Sequence, residues 1–260
     1  MLRAPRFGEV FRNRCLSGAA NGSASWFGWP DVAEQGAGCV EEVYLRGHRA
    51  RGSRGKWIGD GNTALPVEMF ALECFAADGW NGIWSENAYW AEVMVLLFWD
   101  IYWMPVPGQW NTPRAPFDDM PHDLFGKGFY ERRQRHIVTR LGQIAARLDV
   151  AKVMRGILHG HRGEGCRPVE NWDAFTDNEL TAAAVLPRQL LVSIMRRLLE
   201  DFNEHRSGWP DLYLWDRDGA VLFAEVKAEG DELRPNQVDT IEFLEGSGAQ
   251  VTLVHVREDG

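Results

Sequence analysis

Two short runs of β-forming residues near the C-terminus constrain the fold more than any other part of the chain. The first run covers residues 212–215 and the second covers residues 221–226. Residues 216–219, Asp-Arg-Asp-Gly, lie between them. Because Asp and Gly favour tight turns, this pattern predicts a β-hairpin. Successive side chains of a strand point to opposite faces, so the hairpin decides which residues can meet.

Three charged side chains accompany the predicted hairpin. Glu225 and Lys227 project from the same face of the second strand, whereas Val226 points into the core. Asp211 follows Pro210 at the start of the first strand, and the hairpin can bring it close to that face. The sequence therefore predicts two carboxylates and an ammonium group beside an apolar sheet.

This combination of groups suits a divalent metal site. Carboxylates bind hard cations, and Mg²⁺ usually keeps several waters together with substrate phosphate oxygens. Asp211 and Glu225 are therefore predicted metal ligands, with the carbonyl of Val226 as a further ligand. Such a metal would polarise a phosphoryl group and lower the pKa of a bound water. Lys227 would position that water or stabilise charge developing on phosphorus. The alternative interpretation is a surface hairpin with an exposed ion pair.

A wider pattern of short segments includes these residues. In order, the segments are residues 208–212 (Gly-Trp-Pro-Asp-Leu), 224–227 (Ala-Glu-Val-Lys), 230–233 (Gly-Asp-Glu-Leu) and Gln237. This pattern resembles the VRR-NUC domain of the PD-(D/E)xK nuclease superfamily. Residues 84–87 (Trp-Ser-Glu-Asn), 96–101 (Leu-Leu-Phe-Trp-Asp-Ile) and 129–133 also resemble, in order, the Fanconi-associated type of nuclease. Asn236 departs from the pattern, because some relatives have a basic residue there.

The resemblance implies an α/β fold with a restriction-endonuclease-like core, in which helices flank a mixed sheet. It also implies Mg²⁺- or Mn²⁺-dependent cleavage of DNA at 5′ flaps or related branches in DNA repair, which exonucleolytic steps can follow. Carried over residue by residue, Glu86, Asp211 and Glu225 would be metal ligands and Lys227 the catalytic lysine. Gln237 would support them from the next helix.

Glu86 has a second interpretation that does not depend on the resemblance. Ser85 can cap the helix that follows, which puts Glu86 in its first turn. A carboxylate there is favoured by the helix dipole, so spacing alone makes Glu86 a dipole partner. The resemblance instead favours the ligand role.

The chain length, 260 residues of which 45% are hydrophobic, allows one large domain or two small ones. Residues 1–38, rich in Gly, Ala, Ser and Arg, are predicted to form a loosely ordered N-terminal arm. Residues 39–260 are predicted to form the nuclease domain, with a strand at residues 39–45. A helical insertion at about residues 105–186 is expected to separate the helix near Glu86 from the β core. The core continues as a helix at residues 235–244 and a buried strand at residues 251–256.

The charge balance limits how the chain can bind nucleic acid. A net charge of −9 argues against indiscriminate binding but leaves room for a local basic surface. The densest basic run, residues 46–56, is interpreted as a loop that follows a phosphate backbone or as a solvated hairpin tip. A second basic group lies on the helix predicted at residues 129–148. The predicted DNA-binding residues are Arg46, Arg49, Arg51, Arg54, Lys56, Arg132 and Arg133.

Cysteine spacing and hydropathy bear on the cellular compartment. The four cysteines form no Cys-x-x-Cys pair, which argues against a zinc site and favours a reduced, cytosolic chain. The sequence also has no continuous apolar segment of the kind found in signal peptides, and no apolar run long enough to span a bilayer. We therefore expect a cytoplasmic protein that does not bind membranes and that is nucleoid-associated if its source is prokaryotic.

Two other functions are compatible with the same residues. Compact VRR-NUC proteins resemble dimeric four-way (Holliday) junction resolvases, and a chain of this type would cut junctions symmetrically. The helical insertion is expected to obstruct that dimer surface, which favours a monomer acting on flapped or branched DNA. The third possibility is a catalytically silent DNA-binding module that has kept the fold.

Overall fold

The computed structural model describes residues 11–13, 40–52, 55–86, 88–108, 119–169 and 171–259. The strands are β1 (Phe11–Asn13), β2 (Glu41–Gly47), β3 (Trp57–Ile58), β4 (Ala64–Leu65), β5 (Asn81–Trp84), β6 (Leu212–Trp215), β7 (Val221–Ala228) and β8 (Gln250–Glu258). The helices are α1 (Val67–Ala77), α2 (Ala88–Leu97), α3 (Trp99–Tyr102), α4 (Gly128–Ala145), α5 (Val150–His161), α6 (Asp177–Val185), α7 (Arg188–Glu200), α8 (Phe202–His205) and α9 (Pro235–Gly246).

Six strands form one mixed sheet in the order β1-β2-β8-β7-β6-β5. Strands β2, β8 and β7 are parallel to one another, and the other neighbours pair antiparallel. Because β2, β8 and β7 run the same way, their C-terminal ends lie at one edge of the sheet. The remaining two strands, β3 and β4, form a separate antiparallel pair.

The predicted hairpin is present as β6 and β7, with Leu212 opposite Ala224. Its turn is held by Asp216, whose Oδ1 accepts hydrogen bonds from the backbone N–H groups of Asp218 and Ala220. Every residue of β6 is buried, since both faces of the sheet are covered. Tyr213 and Trp215 pack into the larger hydrophobic core on one face, and Leu212 and Leu214 pack into the smaller core on the other.

Helix α2 lies at the centre of the larger core. Eight of its residues are buried: Tyr89, Trp90, Ala91, Val93, Met94, Val95, Leu96 and Leu97. A helix that is apolar around most of its circumference has to be surrounded by other elements. Helices α5 and α7 pack against it, and α4 packs against α7. Helices α4, α5 and α6 lie within the segment predicted as a helical insertion.

Several local predictions differ from the structure. Strand β5 was not predicted, because four residues beginning Asn-Gly carry too little β-forming pattern. Helix α1 begins after Pro66 and has no side-chain cap. Helix α2 begins at Ala88, so Glu86 lies in the preceding turn and not in the first helical turn. Strand β2 begins and ends two residues later than predicted.

Most of the predicted N-terminal arm and one predicted DNA contact lie outside the described residues. In the predicted N-terminal arm, the structure describes only the backbone of Phe11–Asn13, which pairs with β2. Arg54, one of the predicted DNA contacts, also lies outside the described residues. Among the helices that the structure does describe, none combines the length and apolar character needed to cross a membrane.

Candidate active site

The hairpin brings Asp211, Glu225 and Lys227 together at the sheet edge where β7 ends. We call these three residues the carboxylate cluster. All three are buried, with 7%, 1% and 7% of their surface exposed. The Oδ2 atom of Asp211 accepts a hydrogen bond of 2.7 Å from the backbone N–H of Val226. This bond ties the start of β6 to the middle of β7, so the two predicted acidic ligands are held beside each other.

Gln237, in the first turn of α9, links the lysine to the glutamate. The Nζ atom of Lys227 lies 2.8 Å from Oε1 of Glu225 and donates a 3.1 Å hydrogen bond to Oε1 of Gln237. Gln237 in turn donates from Nε2 to Oε1 of Glu225 at 2.6 Å. The backbone N–H of Arg234 donates to Gln237 Oε1, which fixes the amide orientation. The position predicted to support the site is therefore in direct contact with both partners.

Burial and mutual repulsion disfavour negative charge in the carboxylate cluster. Burial raises the pKa of Asp211 to about 7, and the nearby Glu225 adds to this shift. Burial also raises the pKa of Glu225, although Lys227 opposes that shift. Two acids with raised pKa values share a single ammonium group here. A further cation bound nearby would stabilise their ionised forms.

The donor atoms available here fit a hard cation. The Oε2 atom of Glu225 is buried and has no hydrogen-bond partner among the described residues. Buried polar atoms are rarely left without a partner, and a bound cation would supply one here. Within the described part of the chain, no three His, Cys, Asp or Glu side chains are grouped closely enough to hold an ion. A third carboxylate would therefore have to move towards Asp211 and Glu225.

Glu86 is held next to this cluster by its neighbour in the chain. The backbone N–H of Ser85 donates to the carbonyl of Asp211 at 2.7 Å, and its hydroxyl donates to the carbonyl of Pro210 at 3.1 Å. Ser85 thus fastens the end of β5 to the start of β6. The charge of Glu86 contributes to the raised pKa values of both Asp211 and Glu225. The half-buried Glu86 side chain is therefore within electrostatic reach of both carboxylates.

Sequence reasoning missed two residues around the site. Glu68, in the first turn of α1, also contributes to the raised pKa of Asp211. The pattern of α1 predicts core packing, and nothing in its spacing indicates a nearby acidic cluster. Ser85 was predicted as a helix cap, yet it links β5 to β6. Both positions depend on tertiary contacts that linear spacing does not contain.

The predicted basic loop after β2 emerges at the same sheet edge as Lys227. Arg46, Arg51 and Lys56 are exposed there. Arg49 lies 3.6 Å from Glu258 and stacks over the Trp57 ring at 5.3 Å. The loop is thus placed where a DNA backbone leaving the cluster could reach it, and DNA contact by these residues stays a prediction.

The prediction that Arg133 contacts DNA is wrong for this structure. Its side chain has no exposed surface and lies 2.8 Å from Asp123, with a further hydrogen bond to the carbonyl of Ile101. A phosphate cannot reach it there. Arg132 shares the same carboxylate at 3.0 Å, and 42% of its side chain is exposed. For Arg132 the DNA contact stays a prediction.

Comparison with known families gives a match in the C-terminal half of the chain. The profile of the VRR-NUC domain matches residues 146–258. This range contains the carboxylate cluster and Gln237, whereas Glu86 lies upstream of it.

Curated relatives extend the similarity further upstream. The chain is 31% identical over 229 residues to a Fanconi-associated nuclease 1 homolog of Arabidopsis thaliana, covering 84% of this chain and 25% of the relative. It is 29% identical to the homolog of Schizosaccharomyces pombe, covering 82% and 31%. Fanconi-associated nuclease 1 of Danio rerio is 28% identical, with 86% and 23% covered. The chain thus spans about a quarter to a third of the length of these relatives.

Two solved structures share the fold. One is a crystal structure of paFAN1 bound to 2-nucleotide 5′-flap DNA with a gap, with a TM-score of 0.74 and 24% identity over 88% of this chain and 39% of that one. The other contains 1-nucleotide 5′-flap DNA and has a TM-score of 0.71 and 25% identity over 87% and 40%. These matches confirm the predicted fold class, a restriction-endonuclease-like mixed sheet flanked by helices.

Proposed function

We propose that the chain, whose residues 146–258 match the profile of the VRR-NUC domain, is a metal-dependent nuclease that cuts flapped or branched DNA in DNA repair. The observation that carries this proposal is the carboxylate cluster itself. It combines a buried glutamate oxygen that has no hydrogen-bond partner among the described residues with an aspartate whose pKa is raised to about 7. Such a cluster is unfavourable for a protein that binds nothing there.

Asp211 and Glu225 would hold a Mg²⁺ or Mn²⁺ ion, with Glu86 and the carbonyl of Val226 as further ligands. When bound, the ion supplies Lewis-acid activation of the phosphodiester and of a water. Lys227 is held by Glu225 and Gln237, with its ammonium group beside the carboxylate of Glu225. It would orient the attacking water and stabilise charge that develops on the phosphate oxygens.

The choice of flapped DNA rests on relatives and not on the cluster. The two solved structures of paFAN1 contain 5′-flap DNA, and the curated relatives are Fanconi-associated nucleases. This favours endonucleolytic cutting near a 5′ flap, which exonucleolytic steps can follow. We propose that residues 39–260 form the nuclease unit and that it acts as a cytoplasmic monomer. A tight dimer in sedimentation would favour a four-way junction resolvase instead.

The test is cleavage of labelled 5′-flap, four-way junction, duplex and single-stranded DNA with Mg²⁺, Mn²⁺ or EDTA. The wild-type chain is compared with Lys227→Ala, and with Arg217→Ala as a matched loss of one cation in the exposed β6–β7 turn. We expect metal-dependent cutting of the flap that is lost in Lys227→Ala and kept in Arg217→Ala.

Other outcomes of this experiment separate the alternatives. Symmetric cuts in the four-way junction would favour the resolvase. DNA binding without cutting of any substrate, in every metal, would contradict the nuclease and favour the silent module.

A further inference from the structure

The face of the sheet that carries Glu225 and Lys227 continues beyond the candidate active site. In the parallel register, Lys227 lies beside His255 of β8, and His255 lies beside Tyr44 of β2. Residues in register on parallel strands point to the same face. His255 and Tyr44 are only half-buried, so this face is open on β8 and β2. We call it the open sheet face.

Two arginines lie side by side on the open sheet face. Arg257 of β8 and Arg46 of β2 are register partners, two residues beyond His255 and Tyr44. Both side chains are exposed. Like charges directly opposite each other on neighbouring strands are destabilising. A phosphate between Arg257 and Arg46 would offset this repulsion, next to the candidate active site of a chain whose net charge is −9.

Aromatic packing fixes the orientation of Arg257. Its guanidinium lies over the Tyr44 ring, 4.3 Å from the centroid, and His255 stacks on the same ring at 5.0 Å with an interplanar angle of 19°. The Tyr44 hydroxyl donates a 2.6 Å hydrogen bond to Glu42. This bond also engages the acidic side chain on that part of the face. Arg257 is thus held in place before any ligand binds, which lowers the entropic cost of binding.

The spacing of the strands places the arginines close to the reaction site. Neighbouring strands lie about 4.8 Å apart and each residue advances about 3.3 Å. The Cα atoms of Arg257 and Arg46 are therefore roughly 8 and 12 Å from that of Lys227, by strand geometry. A phosphate held by these two side chains would therefore lie beside, and not at, the group bound at Lys227.

We propose that Arg257 and Arg46 together bind a phosphate adjacent to the scissile phosphate on the DNA strand. This inference rests on the proposed nuclease function and assigns a DNA-binding role to the open sheet face. A guanidinium pair suits a phosphate because each fork can donate two parallel hydrogen bonds. Arg257 and Tyr44 were not among the residues that the sequence predicts to bind DNA.

The test is fluorescence anisotropy of a labelled 5′-flap duplex with the whole chain in EDTA, between 50 and 200 mM salt. The variants are Arg257→Ala and Arg46→Ala, with Arg217→Ala as the matched control at the opposite end of β7. Each of the first two variants should weaken binding about tenfold at low salt, because hydrogen bonds to charged groups are strong. Each should also reduce the slope of log K against log salt by about 1, and Arg217→Ala should change neither.

A further variant separates a fitted phosphate contact from general attraction. Arg257→Lys keeps the charge but not the planar fork, so it should restore the salt slope and only part of the affinity. Thermal melting of each variant checks that the fold is intact. If Arg257→Ala and Arg46→Ala bind like Arg217→Ala while the wild-type chain cuts DNA, the inference is wrong and the nuclease proposal stands. If the wild-type chain neither binds nor cuts DNA, both are overturned.

Discussion

In the part of the chain that the structure describes, two groups of charged side chains are built around buried residues and differ in their balance of charge. The carboxylate cluster has two acids and one ammonium group beside a third acid, Glu86. The second group, which we call the arginine cluster, is Asp123 with Arg132 and Arg133. There the single acid lies between two cations, and backbone carbonyls of Ile101 and Phe129 accept from Arg133.

The contrast indicates which cluster is functional. In the arginine cluster Asp123 contacts both cations, and the surplus charge is on Arg132, which reaches solvent, although Asp123 Oδ1 and Arg133 Nη2 are buried without a hydrogen-bond partner among the described residues. In the carboxylate cluster two acids are buried beside one ammonium group, and burial, reinforced by the charge of Glu86, raises the pKa of both Asp211 and Glu225. A buried charge pair is weak evidence for stability, because desolvation offsets its attraction. Surplus buried charge of one sign is better evidence for a missing ligand of the other sign.

Removing one carboxylate of the cluster should lower DNA cleavage more than any other change predicted below. We expect Asp211→Asn to lower flap cleavage by roughly a thousandfold or more, since metal assistance contributes several kcal/mol. Asn keeps an oxygen that can accept from the Val226 N–H, so the fold should survive. In the absence of metal the variant should melt no lower than wild type, because it relieves repulsion. Asp218→Asn, in the exposed β6–β7 turn, serves as the control. Wild-type activity in Asp211→Asn would remove this residue from the site.

In the arginine cluster, removal of the single acid should lower the stability of the fold. Asp123→Ala leaves the fully buried Arg133 without its carboxylate. Breaking a buried pair in this manner costs about 3–5 kcal/mol of unfolding free energy. Urea denaturation measures that loss. The control is Asp177→Ala, which breaks an exposed ion pair with Arg155. We expect it to change the free energy of unfolding by less than about 1 kcal/mol. Comparable losses for the two variants would show that the arginine cluster is not structural.

The carboxylate cluster should also make the stability of the protein depend on pH. Asp211 has a folded-state pKa raised from 3.8 to about 7. Its stabilising contribution is therefore complete below pH 4 and is lost as the pH rises through 7, on the order of 4 kcal/mol without metal. Thermal melting in EDTA should follow this trend in wild type and flatten in Asp211→Asn. Addition of Mg²⁺ at pH 7 should restore stability; a melting temperature indifferent to both pH and Mg²⁺ would count against the cluster as a metal site.

Gln237 gives the smallest expected effect, because it acts by positioning other groups. Gln237→Ala removes the link between Lys227 and Glu225 and should lower cleavage about 10–100-fold, as is usual for such supporting contacts. Gln237→Glu keeps the acceptor for Lys227 but adds another negative charge. We expect its cleavage to recover partly at lower pH, which a purely structural residue would not show.

The sequence predicted the parts of the site that follow from strand periodicity. Glu225 and Lys227 are two residues apart on one strand, so the strand assignment alone puts them on one face. The start of β6 follows from the same hairpin and brings Asp211 close. These relations are local and therefore readable without a structure.

The remaining features depend on packing between distant segments. Strand β5 has little sequence signal of its own and is formed by pairing with β6. The contribution of Glu68 comes from the way α1 packs against the sheet. Arg133 is a different case, since Phe129, Arg133 and Ile137 recur every four residues on one helical face. That spacing is the signal that it belongs to the buried stripe, and weighting charge above periodicity led to the wrong prediction.

The measurement that tests the central claim most directly is Mn²⁺ binding, followed by electron paramagnetic resonance of the free ion. Wild type, Asp211→Asn and Asp218→Asn would be titrated at pH 8, where Asp211 is ionised. We expect saturable binding in wild type and in Asp218→Asn, and its loss in Asp211→Asn. Equal binding by all three proteins would contradict the assignment of the carboxylate cluster as a metal centre.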